Sequence, residues 1–162
     1  MSCCSPRVLR FLAAASFLVM VACSTNNPSP TNVPRAVITV GTDPNPVPAV
    51  SATRVGTAYS ARFKVVIKEI AGQGGEVQSV TSTLYEDSSG VIVGLVTYDT
   101  SALIVFVGEE RVEANGTLEV PIQIDYTNPS DVTVPAARLH VLVNLKDDRD
   151  NVVSASALVR VQ

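Results

Sequence analysis

The 162-residue chain has no tryptophan, one histidine and three cysteines. One imidazole cannot assemble a His-rich metal site. Cys3, Cys4 and Cys23 all lie near the start, so no pair remains to staple a later domain. Aromatic residues are 5% of the chain, too few for the ring-lined surfaces that sugars favour. Charge is sparse as well. Charged residues are 17% and the formal net charge is −3, which excludes both a basic nucleic-acid-binding surface and a highly charged disordered chain.

Catalytic signatures are missing too. There is no Gly-x-Ser-x-Gly elbow and no Ser-x-x-Lys pair. Gly72-Gln73-Gly74-Gly75 lacks the lysine and helix of a phosphate loop and reads as a hairpin turn. These absences predict a non-enzyme without a cofactor.

What is present begins with an address. Arg7 and Arg10 precede an apolar run, Phe11–Ala22, and no acid occurs before Asp43. The run is too short for a membrane span, which needs roughly 20 residues. Residues 1–22 therefore read as a signal peptide. Met20-Val21-Ala22-Cys23 resembles the lipobox of bacterial lipoproteins, which implies a diacylglyceryl group on the Cys23 thiol and cleavage just before it. Ser24, by the same resemblance, implies export to the outer membrane. Without the signal the chain keeps ten basic and fifteen acidic residues, a formal charge of −5. Such a chain is held at anionic lipid by its acyl groups, not by charge. Residues 23–35, rich in Pro, Ser and Asn, read as a tether.

From residue 36 the apolar period is two. Tyr59, Ala61, Phe63, Val65 and Ile67 alternate with polar neighbours, as do Leu118, Val120, Ile122 and Ile124, and Leu139, Val141, Val143 and Leu145. Pro121 suits an edge strand or a bulge. Further strands are expected at Ala36–Val40, Glu76–Glu86, Val91–Tyr98, Ala102–Val107 and Val152–Val161, with turns between them. Eight short strands in 36–162 predict an all-β sandwich. The long segments Tyr59–Ile70 and Leu139–Lys146, the hairpin Leu145–Val152 and the opening Val40–Val47 resemble bacterial immunoglobulin-like or fibronectin type III-like modules. The resemblance implies an immunoglobulin-like sandwich of seven to eight antiparallel strands. Lacking paired cysteines and a core tryptophan, it is not of the antibody type.

Candidate sites are few. His140 falls on the outer face of its strand. Asp147, Asp148 and Asp150 crowd a turn and are the candidate metal ligands, although their spacing does not match a calcium loop. Glu109, Glu110 and Glu113 form a second acidic turn. Segments 91–96 and 102–107 are apolar on both faces. Either loops or the proline-rich stretch 41–56 cover the second face, or it is a contact surface carried by Leu103, Ile104, Val105 and Phe106. The expected function is a lipid-anchored, non-catalytic envelope module that binds a protein partner, on the periplasmic or surface side. The alternative is a carbohydrate- or small-ligand-binding module with a groove among Tyr59, Tyr85, Tyr98 and Tyr126.

Overall fold

The alternating segments form strands, because a two-residue period lets one face of each be buried and the other stay wet. The computed structural model describes residues 34–130, 133 and 135–162. The expected signal peptide, Cys23 and all of the tether but Pro34 and Arg35 lie outside them. In chain order the elements are β1 (Ile38–Asp43), β2 (Ala49–Ser51), β3 (Tyr59–Glu69), β4 (Gly75–Glu86), β5 (Ile92–Asp99), α1 (Thr100–Phe106), β6 (Arg111–Val112), β7 (Thr117–Tyr126), β8 (Ala137–Asp147) and β9 (Val152–Val161).

These make an immunoglobulin-like sandwich of two antiparallel sheets. In sheet A, β3 is central, with β1 and β2 in succession along one side and β7 on the other. In sheet B the order is β5-β4-β8-β9, with the short β6 beside the start of β4. The two sheets enclose an aliphatic core. Ala61, Phe63, Val65 and Ile67 of β3 and Leu118, Val120, Ile122 and Ile124 of β7 face Val80 and Leu84 of β4 and Leu139, Val141, Val143 and Leu145 of β8. Each large aliphatic side chain so buried contributes about 1.5–3 kcal/mol, enough to hold the fold without a disulfide.

Three expectations need correction. Ala102–Val107 is not a strand. Thr100–Phe106 is a single helix, capped by Asp99, whose Oδ1 accepts from the Ala102 N–H at 2.8 Å. Gly72–Gly75 is not a hairpin turn, because it carries the chain from β3 in sheet A to β4 in sheet B. The proline-rich stretch does not cover the 91–107 segments. It runs along β3 and reaches β9, where the Val47 N–H donates to the Arg160 carbonyl at 3.0 Å. The inner side of β5 is closed by β7 instead, and the approach is so tight that a Cβ on Gly94 would overlap Ile124 Cγ2.

Pro121 sits exposed on β7, the free edge of sheet A, where its missing N–H costs no ladder bond.

Candidate functional site

The outer faces of the two sheets differ in charge. On sheet A, β3 presents Arg62, Lys64 and Lys68, flanked by Asp43 on β1 and Glu119 and Asp125 on β7. Lys64 Nζ meets Glu119 Oε2 at 2.7 Å. That face is an ordinary solvated surface.

Sheet B is different. Its strand register aligns Leu95, Thr83, His140 and Leu158 in one row across β5, β4, β8 and β9. Thr97, Thr81, Leu142 and Ser156 form the next row, and Asp99, Ser79, Asn144 and Ser154 the one after. The first two rows hold no acidic, lysine or arginine side chain, and Leu95 and Leu158 stand more than half exposed. Hydroxyls are paired along the face. Thr81 and Thr97 lie within 3.4 Å, and Asn144 links Ser79 and Ser154 at 3.0 and 2.7 Å. Charge returns toward the margins, with Arg138 and Arg160 at one end and Asp99, Glu76 and Lys146 toward the other. An area lacking acids, lysines and arginines, partly apolar and bounded by charge, has the composition of a docking surface.

The residues singled out from sequence are dispersed. Leu103 is completely buried in the core and touches no solvent, so it drops out of the expected contact surface. Ile104, Val105 and Phe106 remain exposed on α1, and Phe106 stacks on Tyr98 with ring centroids 5.4 Å apart. The tyrosines do not share a groove. Tyr126 is buried beside Tyr59, and Tyr98 lies against α1. Tyr85 borders a cleft of about 260 Å³ with Gly90, Arg138, His140 and Leu158. A second cleft of about 420 Å³ lies by Asp43, Arg62, Lys64, Tyr98, Pro121 and Gln123.

The three candidate metal ligands diverge. Asp147 is buried and accepts from the backbone N–H groups of Ala36, Arg149 and Asn151 and from the Asn151 side chain. Asp148 receives a two-pronged hydrogen bond from Arg111 at 2.8 Å, and Asp150 pairs with Lys146 at 2.6 Å. Arg111 also takes up Glu113 of the second acidic turn. Among the described residues no three acids, histidines or cysteines converge as a metal site.

Two other carboxylates, not singled out from sequence, are also buried. Glu69 accepts four backbone N–H groups, from Val37, Ala71, Gly72 and Asn115. Burial pushes its pKa up, but these donors outweigh burial and bring it down to about 2. Asp147 is balanced the same way and also falls to about 2. Glu86 binds Ser89 and Ser130, whose hydrogen bonds hold its pKa below the usual carboxylate range. All three join chain segments.

No family model matches the chain, and no curated protein matches it. Solved structures do resemble it. The structural-genomics target SoR45 superposes with a TM-score of 0.54 at 11% identity, over 78% of this chain and 85% of that one. A protein of Bordetella pertussis described as ApaA gives 0.51 at 14% identity, over 76% and 93%. Murine CRIg gives 0.41 at 16% identity, over 78% and 97%. At such identities the first two likenesses concern the fold alone.

Proposed function

We propose that this chain is a lipid-anchored, non-catalytic module of the bacterial cell envelope that binds a protein partner through the outer face of sheet B. The observation that carries this is the contrast between the two outer faces. Sheet A is patterned with opposite charges, whereas four strands of sheet B align an area of Leu, Thr and Ser around the single His140, with no acidic, lysine or arginine side chain at its centre. Removing such an area from water needs no buried carboxylate, ammonium or guanidinium to be compensated, and its hydroxyls can hydrogen-bond across an interface. The lipid on Cys23 would hold the module at the outer membrane, with residues 24–35 as spacer.

The small-ligand reading rests on the 420 Å³ cleft, whose size falls in the range of about 300–1,000 Å³ usual for such sites. Its walls mix Asp43, Arg62, Lys64 and Gln123 with Phe63, Tyr98 and Ile122, and it stands as the second reading beside the flat face.

The test is in-cell crosslinking of the tagged full chain followed by mass spectrometry, with Leu95→Glu and Thr81→Lys beside it. Both positions lie on the face, away from the core and from β9. A single dominant envelope protein, lost in the two variants while they stay folded, supports the reading. A partner retained in both sinks it. Intact mass of the same material reports the acyl groups on Cys23, and an unmodified Cys23 ends the anchoring proposal.

A further inference from the structure

The strand edges of the sandwich are unequally guarded. On sheet A the β1–β2 edge is broken by Pro44, Pro46 and Pro48, and the β7 edge carries Pro121, Glu119 and Asp125. On sheet B, β5 shifts register against β4 and packs on β7. β9 lies beside β1 of sheet A, but it has no proline, no shift of register and no acidic residue. It is ten residues long, without proline or glycine, in unbroken register with β8, and Arg160 is its single charge.

The direction of its free backbone groups can be read from its last residues. The Arg160 carbonyl accepts from Val47, and the Gln162 N–H donates to Val47 at 3.1 Å, so both point away from β8. Antiparallel pairing alternates this direction along the strand. The N–H and C=O groups of Val152, Ser154, Ser156 and Leu158 therefore also point away from β8. Val47 and Ala49 cover the edge only at its end. Among the described residues no segment pairs with it from Val152 to Leu158.

We infer that this edge pairs with the same edge of a second copy, antiparallel, about a two-fold axis at Ala155. That register lays the free segment on itself. Ser154 comes opposite Ser156 of the partner subunit, and Val152 opposite Leu158 of the partner subunit. In each pair both residues point their backbone groups across the junction, so each exchanges two N–H···O bonds. Val152 and Leu158, 70% and 69% exposed, cover one another twice by symmetry. Parallel pairing would set Arg160 against its own copy. Shifting the antiparallel register toward the end of the strand runs into Val47, and shifting it the other way leaves Leu158 uncovered. The contact is isologous and closed, as a two-fold dimer requires. It goes beyond the contact face proposed above and does not depend on it.

The test uses Ala155→Cys in the full chain under mild oxidation. Position 155 meets itself across the axis as a non-hydrogen-bonded pair, where Cα atoms approach to about 4.5 Å, within disulfide reach. The expected product is the tryptic segment Asp150–Arg160 joined to its own copy through residue 155. Ala157→Cys, set opposite Val153, should not link. Sedimentation of the unaltered chain should show a dimer, and Ser156→Pro should weaken it by about tenfold or more. The proline removes an N–H that faces the open edge, leaving the β8–β9 ladder intact. Far-ultraviolet circular dichroism checks that the variant is folded. A monomer at every concentration, equal linking at 155 and 157, or a dimer unchanged by Ser156→Pro in a folded protein overturns the proposal. Such a failure leaves the result for Leu95 and Thr81 intact.

Discussion

The Tyr126 side chain shows how one residue ties an element to its neighbour. Its hydroxyl donates to the Pro135 carbonyl, spanning the connection between β7 and β8, while its ring lies 5.7 Å from that of Tyr59. Burial first, and then the nearby Tyr59, push its pKa up to about 12, so the hydroxyl is a permanent donor. Tyr126→Phe keeps the ring packing and orphans one carbonyl. It should cost about 1 kcal/mol in urea unfolding. No loss of stability would mean the hydroxyl is as well satisfied by water. The alternating pattern places Tyr126 inside, but only the fold reveals what its hydroxyl reaches. The buried acids teach the opposite lesson. Ala61, Phe63, Val65 and Ile67 lead to Glu69 in steps of two, and Leu139 to Leu145 lead likewise to Asp147. The parity that marks the core runs on into a carboxylate at the end of each strand. An acid beside a turn reads as solvated only if that parity is ignored.

At the scale of elements, α1 was the part least legible. Ala102-Leu103-Ile104-Val105-Phe106-Val107 is apolar throughout and β-branched in places, so it has no period to separate helix from strand. The decisive signals flank it: Asp99 as the cap, and Gly108 just beyond Val107, at φ 90°, as the stop. The helix has one inward residue, Leu103, and an outward side bearing Val105, 75% exposed. Leu103→Ala should therefore cost about 2–5 kcal/mol, whereas Val105→Lys should change stability by less than about 0.5 kcal/mol. Thermal unfolding of the two variants separates helix from strand. Equal losses would mean that both positions are packed. The row of Leu95, Thr83, His140 and Leu158 was illegible for another reason. Each residue is visible on its own strand, but their alignment depends on inter-strand register and on the order β5-β4-β8-β9. Nor can a four-residue glycine turn tell, from sequence, whether it returns within a sheet or crosses to the other, as Gly72–Gly75 does.

For the whole molecule, two of the three buried carboxylates converge at the start of the sandwich. The Ala36 N–H donates to Asp147 at the end of β8 in sheet B, and the Val37 N–H donates to Glu69 at the end of β3 in sheet A, both at 3.2 Å. Two successive residues are thus fastened to the two sheets, just after the segment expected to act as the tether. Both carboxylates have folded pKa values of about 2, below their ordinary 4.5 and 3.8. A lowered folded pKa means that the ionised form stabilises the fold. That stabilisation is complete above the unfolded pKa values and is lost as pH falls from about 4.5 toward 2. The melting temperature should be flat near neutrality and drop by roughly 10 °C across that acidic window. Glu69→Gln with Asp147→Asn should lower the neutral value and flatten the acidic slope together, because the amides cannot accept every N–H and no longer titrate. A double variant that melts lower yet keeps the full slope would assign the acid sensitivity to other groups, Glu86 foremost, since it too is buried and held ionised by Ser89 and Ser130.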